Sequence, residues 1–296
     1  MKTFKFFPLA ALGLLTAACS NDDAASAGQQ TAKYITVEAN IGNMTRATTT
    51  GNSTVFDEGD GIAVYAWTGS GTSVPSDRVV NGVVNTLGAD GKWTPATQML
   101  WADMVTPHYF LGIYPARTVS DFTTDPYTLD PADYEASDLL VARQLSGLTA
   151  TQNPVSLTFD HAMAKLNVNM NFRNQWDETP AIASCVATAA STATIDYLAQ
   201  TVTAGTQATV SLPAIAAQTG YAATYGSIMV PQSGFRTVAI TIDGKQYSYT
   251  HLEDIPLEAG KYTTLNLIVG RNKIEIGEVS INDWTEGTTI SGGQAM

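Results

Sequence analysis

The chain has 296 residues, 44% of them apolar, with a formal net charge of −12 and only two cysteines. That apolar share supports a packed core and argues against global disorder. The acidic surface repels phosphate backbones and argues against a nucleic-acid partner, and the length allows one large or two mid-sized domains.

Taken in chain order, the first feature is a basic start, Lys2 and Lys5, followed by an apolar run over 6–15 and the small-residue segment Thr16-Ala17-Ala18-Cys19. This is a secretory signal peptide over residues 1–18 whose cleavage site ends at a cysteine. The apolar run is too short to cross a bilayer. The pattern resembles the lipobox of bacterial lipoproteins, with Thr16 where Leu is usual. That resemblance implies that Cys19 receives lipid, becomes the new N-terminus and tethers the protein to the outer membrane. The alternative is an ordinary signal peptide with an incidental cysteine. The acidic stretch 20–23 is similar to the tag that sends lipoproteins to the outer face, or is simply a solvated leader. Residues 19–33 are small and polar and read as a flexible tether. With Cys19 lipidated, Cys185 has no disulfide partner, and its apolar setting marks a buried, inert thiol.

Period-two alternation dominates the remainder. Ile35, Val37, Ala39 and Ile41 alternate with Thr36, Glu38 and Asn40 as one half-buried strand. Residues 62–67 and 109–114 are aromatic and β-branched runs that suit central strands. Asp90-Gly91 and Asp243-Gly244 are tight-turn signals, the second joining the clearest hairpin of the chain. Over 155–172 the apolar frame flips by one residue. Val155, Leu157, Phe159, His161 and Met163 share one frame, and Leu166, Val168, Met170 and Phe172 the other, against Lys165, Asn167, Asn169 and Asn171. Such a flip exchanges strand faces and predicts a bulge, kink or crossover near Ala164, where the chain is divided into 34–163 and 164–296. Residues 212–220 are read as a short helical turn. A second frame switch falls at Gly277, between Ile276 and Val279. Many short strands separated by Gly, Pro and Asp turns indicate an all-β protein, read at this length as two sandwiches in tandem.

No site chemistry stands out. His108, His161 and His251 are far apart, with no zinc spacing, nucleophile elbow or phosphate loop. His161 reads as a core histidine. The acidic stretch 121–138 lacks the ligand alternation of a calcium loop and reads as solvated. No metal, cofactor or catalytic residue is expected.

Several motifs, in order, resemble a known family. They are Thr45-Arg46-Ala47 after the opening strand, Phe56-x-x-Gly59-Asp60-x-Ile62-x-Val64, Gly91-x-Trp93, Trp101 and Tyr114-Pro115. Next come Leu157-x-Phe159-x-His161-x-Met163-Ala164-Lys165-Leu166, Tyr262-x-x-Leu265-x-Leu267 and Ile281-x-Asp283-Trp284-x-x-Gly287. Their order is similar to that of the fimbrillin-like family of lipoprotein-derived pilus subunits. The resemblance implies two tandem transthyretin-like Greek-key β-sandwiches and a fimbrium on the cell surface. It also implies processing by an arginine-specific protease, here between Arg46 and Ala47, that removes the strand carrying Ile35, Val37, Ala39 and Ile41. A donor strand from a neighbouring subunit then fills the opened groove. The tail 285–296 offers mainly Ile290 as an apolar residue, and 274–284 alternates better, so the donor segment stays open. The residues also admit a second reading, a non-polymerising surface lipoprotein that binds glycan or host protein through aromatics near Trp67 or the 121–138 loop. A hydrolase ranks third.

Overall fold

The computed structural model describes residues 33–42, 55–134 and 136–283, and these form an all-β protein. The first half contributes β1 (Val37–Ile41), β2 (Gly61–Thr68), β3 (Val80–Leu87), β4 (Trp93–Pro95), β5 (His108–Tyr114), β6 (Asp125–Thr128), β7 (Leu140–Leu148) and β8 (Val155–His161). All but β6 join one seven-stranded sheet in the order β1-β8-β7-β5-β2-β3-β4. The sheet curls so that both ends line one core, with Val37 and Ile41 at the β1 end and Trp93, Met99 and Trp101 near the β4 end. The opposite face of β2 and β5, carrying Tyr65, Trp67, Leu111 and Ile113, belongs to a second core that continues into the other half. Both faces of these strands are therefore covered, which is why their sequences are continuous apolar runs rather than alternating ones.

The second half contributes β9 (Ala164–Phe172), β10 (Ile182–Ala190), β11 (Thr192–Asp196), β12 (Thr201–Ala204), β13 (Gln207–Ser211), β14 (Ala214–Ile215), β15 (Ala223–Met229), β16 (Thr237–Ile242), β17 (Lys245–Thr250), β18 (Lys261–Val269) and β19 (Ile274–Asp283). A five-stranded sheet, β14-β15-β9-β18-β19, lies against a four-stranded one, β13-β10-β16-β17. Leu166, Val168 and Met170 on the first share a core with Cys185, Val238 and Ile240 on the second. The frame flip near Ala164 is a change of sheet: β8 ends in the first sheet at His161 and β9 begins in another at Ala164. The Asp243-Gly244 turn joins β16 to β17 with φ of 50° and 73°, the two positive values a type I′ hairpin requires. At Gly277 the register of β19 against β18 slips by one residue, a bulge that accounts for the second frame switch.

The two halves are not simply consecutive. β10 runs into β11, and β12 into β13, as one long hairpin whose tip leaves the second half and pairs with β6 of the first, Thr192 opposite Thr128 through Ile195 opposite Asp125. Asp125, only 6% exposed, secures this crossing. Its Oδ2 accepts a hydrogen bond from the Tyr197 hydroxyl at 2.7 Å and pairs with Arg117 at 3.0 Å. The reading of 121–138 as a solvated loop therefore fails at Asp125. A charge left unpaired at this depth would be costly, and the Arg117 partner and the Tyr197 hydroxyl offset part of that cost.

One further reading is corrected. Residues 212–220 hold no helix: Ala214–Ile215 pairs antiparallel with β15, and Pro213 biases its predecessor toward extended backbone. The polar frame of β9, whose orientation alternation alone leaves open, is buried. Lys165, Asn167 and Asn169 are 3%, 2% and 1% exposed: β9 is the middle strand of its sheet, and side chains including Gln218 and Tyr134 pack on its polar frame. Asn169 Nδ2 donates to Gln218 Oε1 and Asn266 Oδ1, and its Oδ1 accepts from the Thr224 hydroxyl. Lys165 Nζ sits 5.0 Å from the centroid of the Tyr134 ring. Burial lowers the Lys165 pKa to about 8, with the charge of Asp138 partly opposing the shift.

A lysine depressed on folding carries its burial cost in full below its folded pKa and sheds that cost as pH rises toward its unfolded value. Lys165→Met is therefore expected to raise stability relative to wild type at pH 7. The advantage should shrink by about 3 kcal/mol between pH 7 and pH 10.5, at about 1.36 kcal/mol per pKa unit. Urea denaturation of both proteins at the two pH values checks this; a pH-independent difference would contradict it.

Candidate functional site: the first strand and the groove it fills

Strand β1 lies at the end of the seven-stranded sheet and pairs in parallel with β8, Val37 opposite Val155 through Ile41 opposite Phe159. Its approach is also held. The Ile35 N–H donates to the Met99 carbonyl at 2.9 Å, and the Trp101 N–H donates to the Lys33 carbonyl at 3.3 Å. Asn153 clamps Thr36 from both sides: Oδ1 accepts from the Thr36 N–H at 3.0 Å, and Nδ2 donates to Thr36 Oγ1 at 2.9 Å. The ladder opens with the Val155 N–H on the Thr36 carbonyl and closes with the Gly42 N–H on the Phe159 carbonyl.

Alternation then decides what β1 does. Ile35, Val37 and Ile41 are 1%, 5% and 6% exposed, and Ala39 packs at the margin of the same core. They meet Val155, Leu157 and Phe159 of β8, with Ile62 and Val64 of β2 and Phe110 of β5 in the same cluster. Burying three large aliphatic side chains contributes about 5–9 kcal/mol at about 1.5–3 kcal/mol each. At the far end Phe56 meets Trp93, Tyr114 and Phe159 edge-on, with centroids 5.2, 5.3 and 5.4 Å away. The exit is narrow: a Cβ on Gly42 would come within 2.6 Å of Asp160 Oδ1. The groove is thus a slot in an apolar core, shaped for an extended chain with alternating aliphatic side chains.

Of the residues singled out in the sequence, Ile35, Val37, Ala39 and Ile41 come together in this slot. Cys19, Arg46 and Ala47 lie outside the described residues, as does the tail 284–296. The described chain leaves the slot at Gly42 and resumes at Val55, directly before Phe56, so Arg46 falls on the connection between the strand and the body. Asn153 and the pairing of the Met99–Trp101 segment escaped the sequence reading, which named Phe56 and Trp101 only as motif residues. An Asn that follows a helical turn and precedes a proline gives a weak signal. The pairing of Lys33 and Ile35 with Trp101 and Met99 is too distant in sequence to give any.

At the other end of the chain β19 is an edge strand held against β18 alone. Ile276 and Val279 are only half-buried and Ile281 is 41% exposed, in contrast to the deeply seated β1. Elsewhere the side chains serve structure. Trp67 is fully buried and donates its indole N–H to the Ser70 carbonyl, so it offers no ligand surface. His161 pairs with Asp138 at 2.8 Å. Burial pushes the Cys185 thiol up to about 12, which suppresses its thiolate. Asp121, Asp130 and Asp133 accept hydrogen bonds from the backbone of their own turns. Among the described residues no group of His, Cys, Asp and Glu is arranged to hold a metal ion.

Comparison with known proteins places this architecture. The chain matches the family model described as fimbrillin-like over residues 45–284. No curated protein matches it. Among solved structures, a Bacteroides uniformis protein described as a cell adhesion protein superposes with a TM-score of 0.64 at 18% identity, covering 85% of this chain and 98% of its own. A Bacteroides ovatus protein with the same description gives 0.62 at 15% identity, covering 86% and 99%. A fimbrial protein from Bacteroides vulgatus gives 0.52 at 14% identity, covering 86% and 100%. At these identities the likeness establishes a shared fold.

The difference in burial between the two terminal strands is measurable. Ile35→Ala is expected to cost about 2–5 kcal/mol, as for a large core side chain that leaves a cavity. Ile281→Ala, on the exposed β19, should stay within about 0.5 kcal/mol. Denaturant midpoints of the two variants decide it; equal losses would contradict the assignment of β1 as a core element.

Proposed function

The chain belongs to the fimbrillin-like family, and from that premise we propose that it is a structural subunit of a cell-surface fimbrium with a role in adhesion, assembled by strand exchange. The precursor is exported as a lipoprotein anchored to the outer membrane through lipid on Cys19. An arginine-specific protease cuts between Arg46 and Ala47 and releases β1, and a strand from a neighbouring subunit takes its place. Residues 34–163 and 164–296 act as two transthyretin-like domains, with the β11–β12 tip returning to the first.

One observation carries this reading: β1 is deeply buried in the core, yet its covalent path to the body runs through the connection that contains Arg46. Losing it would uncover both the apolar floor and the edge of β8. An incoming strand gains the same side-chain burial, with main-chain pairing to fix its register. A contact in which one subunit's strand fills the next subunit's slot is head-to-tail and does not close, so it propagates into a fibre. β19 is the better-suited donor among the described C-terminal residues, since it is held on one side only and half-exposed. The role is structural rather than enzymatic, and the partners are other pilus subunits, the protease and the membrane. The competing ligand-binding reading loses support because Trp67 is buried and Asp125 is taken up by Arg117 and Tyr197.

Incubating purified precursor with an arginine-specific protease should yield a cut after Arg46 and a ladder of SDS-resistant oligomers. Arg46→Ala should abolish both. Cleavage that leaves only monomers would refute strand exchange, and ladders from the Arg46→Ala chain would remove this residue from the mechanism. Cys19→Ala should abolish acylation and outer-membrane fractionation; retention of both would refute the lipid anchor.

A further inference from the structure

Strands β12 and β13 are the outer strands of two adjoining sheets, follow one another along one arm of the long hairpin over residues 201–211 with a break at Gly205-Thr206, and differ in composition from every other edge among the described residues. Exposed edges invite pairing with other chains, and proteins blunt them with charge, proline, bulges or shortness. β4 has three residues and ends in Pro95; β6 has four and contains Pro126; β14 has two. β17 carries Lys245, and β19 carries Glu275 and Glu278 with the bulge at Gly277. β1 carries the exposed Glu38 and lies beside the Met99–Trp101 segment. The β12–β13 edge is made of strands of four and five residues, but it carries neither charge nor proline. No charged residue occurs anywhere between Asp196 and Arg236.

We infer that this edge is a pairing surface for a second copy of the chain, joined antiparallel about a two-fold axis through Thr206. The occupant follows from the sequence, because residues 201–211 read nearly the same in both directions. Antiparallel pairing about Thr206 sets Val202 opposite the partner's Val210, Thr203 opposite the partner's Thr209, and Ala204 opposite the partner's Ala208. Faces match as well as identities. Val202, Ala204 and Val210 turn toward the core, whereas Thr201, Thr203, Thr209 and Ser211 face solvent; the exception is Ala208, which is exposed opposite Ala204. A register offset by one residue would break that match. The bend between the two sheets falls at Gly205-Thr206, on the axis itself, so both copies bend in the same sense. Charge favours the same partner. Two chains of net charge −12 repel each other, and a long neutral edge is where they approach at least electrostatic cost. Such an isologous contact closes on itself. It is independent of strand exchange and would join subunits side by side rather than end to end.

The test uses the full chain without protease treatment, carrying Cys19→Ser so that the buried Cys185 is the only native cysteine. Directly opposed residues in an antiparallel pair have Cα atoms about 4.5–5.5 Å apart, within disulfide reach. Thr206→Cys should therefore cross-link to a dimer under mild oxidation, while Ser76→Cys, exposed in a distant loop, should stay monomeric. In sedimentation the chain should dimerise with rising concentration. Thr203→Lys with Thr209→Lys places like charges opposite each other and should abolish the dimer, whereas Thr203→Lys with Thr209→Glu should keep it. A monomer at every concentration, equal cross-linking of the two cysteine variants, or the same behaviour of both charge pairs would overturn the inference.

Discussion

The architecture depends on closing one apolar core with a strand from the very start of the described chain. The seven-stranded sheet curls around that core, and its ends, β1 and β4, approach each other without joining in a continuous ladder. Water is excluded only while the aliphatic side chains of β1 occupy the gap. Hydrophobic burial is non-directional, so it does not specify whose strand supplies those side chains; the main-chain ladder to β8 requires only an extended segment in register. A deep slot filled by an extended strand is what the fold provides, and the proposed assembly starts from it.

The rest of the molecule builds the walls of that slot. β2 and β5 are covered on both faces, so the floor does not depend on β1 alone. Asp125, Arg117 and Tyr197 fasten the tip of the long hairpin to β6 and tie the two halves together through paired charge and hydrogen bonding rather than through apolar contact alone. That hairpin also presents the uncharged edge at Thr206. One element thus serves internal cohesion on one side and offers a surface to another chain on the other.

Much of this was legible in the sequence, for local reasons. The alternation of Ile35, Val37 and Ile41 gave the first strand, the flip at Ala164 marked the passage between sheets, and Asp243-Gly244 specified its hairpin. These signals depend on period and turn chemistry, which act over a few residues. What local patterns leave out is non-local. Lys165, Asn167 and Asn169 form a polar frame by alternation, and only contacts from residues distant in sequence, such as Gln218 and Tyr134, show that it is buried. Asp125 lies in an acidic stretch, yet Arg117 and Tyr197 bury it. Parallel pairing of β1 with β8 joins residues more than a hundred positions apart, and no local pattern encodes it.

The most direct test of the central claim is amide hydrogen exchange at Val155 to Phe159 before and after β1 is cut away at Arg46 and removed. The account predicts that protection along β8 falls sharply, and that a synthetic peptide spanning residues 34–42 restores it in trans. Protection that is unchanged after the strand has gone would mean that β1 covers nothing the fold needs, and would contradict the account.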